Sequence, residues 1–315
     1  MSDERLKMPL ERDFGFYQRR KHDTWRQVEA PALEVPVADS HAHVHMLPDP
    51  AWEFARCAAN GVSFVCMICD PAEDGTRPFD ELDGWLSQAG DHLAQEGVQA
   101  TVPHVRISAG VHPHNARLYG SEVEQTLLKL LADPRANAVG EIGLDYHYDL
   151  SPRETQREVF ARQIELAKKL GMPIALHLRG GEDPKLDDAH VQAFGILREV
   201  GFPEAGTLLH CCSLPADQLK PWIEEGCYIA YGGALTFKKA DEAREAAKLV
   251  PVDRLLLETD SPYMAPEPMR GAACTPAHVV FMAAVLADVR GVACGPERAA
   301  FLDQLFENTR RFLDR

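Results

Sequence analysis

Seven residues near the start of the chain, Asp39-Ser40-His41-Ala42-His43-Val44-His45, carry side chains suited to holding a metal ion. They follow Val35-Pro36-Val37, a short apolar run that reads as the end of a buried strand. Side chains alternate faces along a strand, so His41 and His43 would project to the same side, one pleat repeat apart. Two neutral imidazoles held that way suit one ion of zinc or its d-block neighbours. A His-rich turn or a chance triplet explains these seven residues about as well. The remaining ligands must therefore come from elsewhere in the chain.

The elements that would deliver them can be read from the hydrophobic pattern. From Val35 onward, short apolar runs alternate with helical patterns: Val35–Ala38, Val62–Ile68, Val105–Val111, Ala138–Ile142, Pro173–Leu178, Thr207–Leu209, Tyr228–Tyr231 and Leu255–Leu257. Between them, Pro152–Leu170 sets Val159, Phe160, Ile164 and Leu166 near helical spacing and stops at Gly171-Met172-Pro173. Ala51–Asn60, Ser121–Ala132, Val191–Val200, Pro215–Gly226 and Ala240–Leu249 are further helix candidates. Eight strand-like runs, each followed by a helix, call for parallel pairing with right-handed crossovers. The economical arrangement is an α/β fold of the (β/α)8 TIM-barrel type; a doubly wound open sheet is the alternative. The expected organisation is an N-terminal extension over residues 1–34, either a helix on the barrel or a loose arm, and a barrel domain over 35–315. Pro71–Val102 is a long excursion with its own helix around Phe79–Ala89.

Ionisable residues fall repeatedly at the C-terminal ends of the runs. His41 and His43 follow the first, His112 and His114 the third, and Glu141 and Asp145 the fourth. His177 and Arg179 end the fifth, His210 the sixth, and Glu258 and Asp260 the eighth. In a barrel those ends converge on the face where active sites of this fold sit. One such histidine would be unremarkable in a core; six runs of eight behaving alike point to a site.

Composition narrows the partners. The 315 residues are 45% hydrophobic, enough for a large core, and 33 Lys and Arg against 48 Asp and Glu give a net charge of −15. That balance opposes a broad phosphate-tracking groove, because non-specific nucleic-acid binding runs on Lys and Arg. It leaves room for a narrow site in which metal ions supply the positive charge. No apolar run approaches the ~20 residues of a membrane helix, and the first residues lack a signal-peptide core, so a soluble cytoplasmic protein is expected. The eight cysteines are scattered, several within apolar runs, and read as reduced core thiols. Cys66-Met67-Ile68-Cys69 has redox or zinc spacing but lies within a strand-like run, which favours packing over chemistry.

From about Val37 to Leu313 the chain resembles the TatD-type metal-dependent deoxyribonucleases of the amidohydrolase superfamily. The resemblance is carried by Asp39-Ser40-His41-Ala42-His43, Gly110-Val111-His112-Pro113-His114 and Gly140-Glu141-Ile142-Gly143-Leu144-Asp145-Tyr146. Gln163 to Arg179, His210-Cys211, Glu258-Thr259-Asp260-Ser261-Pro262-Tyr263 and Asn308-Thr309-Arg310 complete it. It implies a barrel with two divalent metal ions, zinc or magnesium/manganese, that hydrolyses phosphodiester bonds. By the same resemblance His41 and His43 ligate one metal, Glu141 bridges to a second completed by His177 and His210, and Asp260 ligates the first and takes a proton from water. Glu141 stands where a rival branch of the superfamily carries a modified lysine, which favours the nuclease-like branch over lactonases and phosphotriesterases. His112 and Arg179 would hold a phosphate, while His114 and Tyr263 would stack on or hydrogen-bond a nucleotide end. A solvated loop histidine and a rim aromatic are equally good readings of those last two.

The implied activity is hydrolysis of DNA ends, and of RNA ends in the same way, as a 3′–5′ exonuclease. The implied partners are nucleic-acid ends, single-stranded DNA first, with no membrane and a monomer or small homo-oligomer. Departures from the family pattern leave the six ligands intact but touch the substrate. Cys212-Ser213-Leu214 replaces an aromatic and a glycine after His210-Cys211, and Ala272-Ala273-Cys274-Thr275-Pro276 follows Arg270-Gly271 where a carboxylate is usual. The acidic loop Glu182–Asp188 is also unusually charged. Two alternatives stay open: hydrolysis of another ester, amide or small phosphate compound such as an aminoacyl-RNA link, and a non-catalytic barrel kept for binding.

Overall fold

The structure, a computed structural model, describes residues 13–182 and 188–314. Most of the acidic loop Glu182–Asp188 therefore lies outside the described residues, as do residues 1–12 of the extension. In chain order, β1 (Phe16–Arg19) and β2 (Trp25–Val28) precede β3 (Val37–Ala42), α1 (Pro50–Ala59), β4 (Val62–Cys69) and α2 (Arg77–Gln95). There follow β5 (His104–Ala109), α3 (Ser121–Leu131), β6 (Ala136–Asp145), α4 (Arg153–Leu170), β7 (Ile174–Arg179), α5 (Ala189–Val200) and β8 (Thr207–Leu209). The chain ends with α6 (Ala216–Glu224), β9 (Tyr228–Tyr231), α7 (Asp241–Ala247), β10 (Leu255–Leu257), α8 (Val279–Val289) and α9 (Pro296–Leu313). Strands β3 to β10 are ordered in the sheet as they are in the chain. A doubly wound sheet reverses its strand order at a switch point; this one does not. Parallel strands in sequential order, each leading into a helix, make the (β/α)8 topology expected from the sequence.

Contacts divide the chain into two compact units. The first comprises Met1–Met67, Glu81–Val105 and Cys211–Arg311. Within it the first and last sheet strands meet, through a parallel bridge between Ala42 and Ser261. The Asp260 N–H donates to the His41 carbonyl at 2.9 Å, and the His43 N–H donates to the Ser261 carbonyl at 2.8 Å. Asp39 drives this junction. Its Oδ1 accepts from the Thr259 and His41 N–H groups at 2.9 and 3.2 Å, and its Oδ2 accepts from the Thr259 hydroxyl at 2.5 Å. Those bonds explain why β3 runs on to Ala42 instead of stopping at Ala38: a buried polar stretch stays extended once each acceptor is filled.

Among its described residues, from 13 onward, the N-terminal extension forms a β-hairpin instead of the expected helix or loose arm. β1 and β2 pair antiparallel, from Phe16 opposite Val28 to Arg19 opposite Trp25. Phe16 is 2% exposed, with its ring 5.1 Å from His278 and edge-on to Phe281 at 4.9 Å. One buried aromatic on a four-residue strand tethers the hairpin. Its mixed composition hid that from a reading based on periodicity.

The second unit comprises Ile68–Asp80, Arg106–His210 and Phe312–Arg315. Its spine is the β6–β7 pair, in register from Ile142 opposite Leu176 to Asp145 opposite Arg179. Close approach requires glycine here. A Cβ on Gly143 (φ +148°) would stand 2.0 Å from the His177 carbonyl oxygen, and one on Gly140 would stand 2.8 Å from the Ala175 Cβ. α4 ends at Gly171 in the left-handed region, as the sequence predicts. The structure also contains α8, the helix expected after the eighth run, and α9 beyond it. Among the described residues, no helix is long and apolar enough to cross a membrane.

Candidate active site

The second unit builds one cluster around Glu141, which is 4% exposed. Its Oε1 lies 2.6 Å from His177 Nδ1, 2.7 Å from His210 Nε2 and 3.8 Å from His112 Nε2. Glu141, His177 and His210 each offer a donor atom, all within 4.8 Å of one another, as do His112, His114 and His177. Imidazole nitrogens converging with a carboxylate oxygen are a donor set that fits a divalent cation.

Asp145, at the end of β6, fixes the orientation of these rings. Its side chain is fully buried, and Oδ2 stands 2.9 Å from His114 Nε2 and 3.0 Å from His177 Nε2. Oδ1 accepts the backbone N–H groups of His147 and Tyr148, both at 2.9 Å. Burial alone would raise its pKa. The hydrogen bonds from His114, His177 and the Tyr148 N–H outweigh that and hold it well below the usual carboxylate range. His177 is thus engaged at both nitrogens, Nδ1 toward Glu141 and Nε2 toward Asp145. Burial would lower its pKa, but the Glu141 charge and the bonds to Asp145 and Glu141 raise it to about 9.

Two buried glutamines of α4 set the loops that present this cluster. Gln163 accepts from the Val111 N–H at 2.7 Å and donates to the Val111 carbonyl at 3.0 Å, pinning the residue before His112. Gln156 accepts from the Asp145 N–H at 2.8 Å and donates to the Asp145 and Ser151 carbonyls. Seven residues apart, they share one helix face and serve two loops. Asp70 adds a third support: its Oδ2 accepts from the His112 N–H at 3.1 Å and from Asn115 at 2.8 Å. Burial pushes its pKa up to about 6.

The first unit builds the other cluster. Asp260 Oδ1 lies 3.6 Å from His43 Nε2 and 3.9 Å from His41 Nε2, with the two imidazole rings 5.3 Å apart. Asp260 sits at φ +56°, a left-handed conformation that aspartate tolerates better than most residues. Its N–H bond to His41 and its carbonyl's bond from the Tyr263 N–H hold it there. Tyr263 has its ring 6.1 Å from that of His43. Glu258, also buried, accepts from the Cys211 N–H.

The sequence-predicted residues thus fall into two groups: His41, His43, Asp260 and Tyr263 in one unit, and Glu141, His177, His210, His112, His114 and Arg179 in the other. Arg179 is exposed and lays its guanidinium 4.8 Å over the Tyr148 ring, and His114 approaches the same ring at 5.4 Å. His114 spends Nε2 on Asp145. Sequence reading assigned no role to Asp145, Gln156, Gln163 or Asp70. The visible signal was two buried-type amides seven apart on an otherwise amphipathic helix. Cys66, Cys69 and Cys212 are buried. Burial pushes the Cys212 thiol up to about 12, which keeps it protonated and inert.

Comparison with known proteins identifies the family. The profile of the family described as "TatD related DNase" matches residues 38–314. The chain belongs to that family. It is 38% identical over 262 residues to the "Uncharacterized metal-dependent hydrolase YcfH" of Escherichia coli K12, covering 81% of this chain and 89% of that one. It is 38% identical over 165 residues to the "3'-5' ssDNA/RNA exonuclease TatD" of Pantoea vagans, covering 52% and 60%. Among solved structures it resembles the TatD homolog YJJV of Escherichia coli K12, with a TM-score of 0.70 and 25% identity over 89% of this chain and 98% of that chain. That likeness bears out the TIM-barrel fold. At this level the chain is a TatD-type metal-dependent hydrolase.

Proposed function

We propose that this protein hydrolyses phosphodiester bonds at the ends of single-stranded DNA and RNA, removing nucleotides from the 3′ side. The observation that carries the reading is the Glu141 carboxylate, buried, with His177 and His210 aimed at one of its oxygens. In this reading His41, His43 and Asp260 would hold one divalent cation, and Glu141, His177 and His210 would hold a second. Zinc suits the imidazole-rich donors; manganese and magnesium suit the carboxylates and phosphate. Bound there, such a pair supplies Lewis acidity at the phosphoryl oxygens and makes water acidic enough to ionise near neutral pH.

The side chains do the rest. Asp260, partly open to solvent, accepts the proton of the attacking water. Glu141 serves as a ligand, because its oxygen is committed to two histidines. Arg179 offers a planar guanidinium to the non-bridging phosphate oxygens, steadied by the Tyr148 ring beneath it. His112 stands close enough to Glu141 to meet the same phosphate. Tyr263, beside His43, is placed to stack on a terminal base. The relative named as an exonuclease supports this substrate class, and the relatives named only as metal-dependent hydrolases are consistent with it.

The test is digestion of 3′-labelled and 5′-labelled single strands by chelated protein, before and after addition of zinc, manganese or magnesium. Hydrolysis should disappear on chelation, return with metal and release the 3′ label first. Full activity after exhaustive chelation would refute the mechanism. Turnover of aminoacyl or simple esters, with every nucleic-acid end untouched, would move the assignment to another ester hydrolase on the same residues.

A further inference from the structure

We propose a second anion site, formed by the β1–β2 turn and the loop after β10, that takes the phosphate backbone of a single strand. It is a shallow, open depression of about 420 Å³ lined by Arg19, Arg20, Lys21, His22, Arg270 and Gly271. Four of those six residues are permanent cations and none is acidic, in a chain whose net charge is −15. Its volume falls in the range of small-ligand sites, ~300–1,000 Å³, so it admits a nucleotide-sized segment. No large apolar residue lines it, which argues against a lipid surface.

Both walls are held in place. On one side, the hairpin turn is closed by the Arg20 N–H donating to the Thr24 carbonyl at 2.7 Å and the Thr24 hydroxyl donating to the Lys21 carbonyl at 3.0 Å. His22 takes the left-handed conformation that turns the chain (φ +60°). The hairpin is tethered through Phe16 to His278 and Phe281. On the other side, the Arg270 guanidinium lies 4.3 Å over the Phe237 ring. Fixed guanidinium groups lose less freedom on binding phosphate than loose lysines do.

The loop after β10 carries Asp260 and reaches Arg270, so one loop bears both the proposed base and one side of this depression. The hairpin precedes residue 38, where the family match begins. Arg270 and Gly271 lie within that match, so the site joins the hairpin to a loop of the family domain. It would hold the body of a strand whose end is being processed, and to that extent it rests on the function proposed above.

The experiment measures binding apart from chemistry. Metal-free full-length protein is titrated against a fluorescein-labelled 20-nucleotide strand across a salt series, as wild type, as R20A/K21A and as R270A. Two lost phosphate contacts on a single strand should reduce the slope of log affinity against log salt by about 1.4, equivalent to ~25-fold weaker binding at 0.1 M salt. Hydrolysis of a dinucleotide should be unchanged in R20A/K21A. R270A perturbs the opposite wall and should also weaken the long strand. Unchanged affinity and slope in both variants would overturn the proposal, as would equal binding of tripolyphosphate and strand. If no phosphodiester is hydrolysed by any form but the salt slopes behave as stated, the catalytic reading fails and this one stands.

Discussion

Asp145→Asn most directly tests the arrangement behind the histidines proposed to hold metal. The carboxylate takes four hydrogen bonds, two at Oδ1 from backbone N–H groups and two at Oδ2 from His114 and His177. An amide cannot reproduce that pattern. Turning its NH2 toward His147 and Tyr148 would set donors against donors and leave two backbone N–H groups unsatisfied, at ~1–3 kcal/mol each. The NH2 therefore faces the histidines, and His177 must accept at Nε2. Its proton then moves to Nδ1, the nitrogen that lies 2.6 Å from Glu141 and faces the proposed cation. Loss of such an orienting carboxylate costs ~10–100-fold in metal affinity, or ~1.4–2.7 kcal/mol. Inverting the tautomer places this variant at the upper end. Metal content by mass spectrometry and affinity by chelator competition read the effect, and a melting curve of the metal-free protein reports the fold. His114→Ala keeps the Asp145 charge and its bond to His177, so it should lose much less affinity. A folded Asp145→Asn protein that binds metal as tightly as wild type would refute the assignment.

Other expectations are shorter to state. Asp260→Asn should lower turnover by ~10²–10⁴-fold with little change in melting temperature, because a neutral amide is a poor base; retained turnover would remove Asp260 as the proton acceptor. Burial, with the Arg56 charge adding to it, holds the His278 pKa down at about 3. The unfolded chain takes up that proton below about pH 6.5 and the folded chain does not, so stability falls as pH drops from about 6.5 toward 3. At pH 5 the penalty is ~2 kcal/mol. Denaturant titrations at pH 5 and pH 7 should therefore differ by that much more in wild type than in His278→Gln; equal differences would exclude the histidine as the source.

The strands and most helices were legible in the sequence because each is a local pattern. Val62–Cys69, Thr207–Leu209, Tyr228–Tyr231 and Leu255–Leu257 are contiguous apolar runs, and α4 announces itself by spacing and by the glycine that stops it. The recurrence of histidine and carboxylate at strand ends was legible for the same reason, since residue type and position along a strand need no partner to be read. The hairpin was not legible: its stability comes from Phe16 meeting His278 and Phe281, more than 250 residues away in the chain.

The sequence by itself determined the element order, the family and the inventory of side chains able to bind metal. Tertiary structure decided how those side chains are aimed. It chose which nitrogen of His177 faces Glu141, made Asp145 an orienting carboxylate instead of a spare acid, and turned Gln156 and Gln163 into backbone clamps. It also gathered Arg19, Arg20 and Lys21 with Arg270 around one depression. Each of these depends on a hydrogen bond or approach between distant residues, and such a bond leaves no periodic trace in either partner's own stretch of sequence.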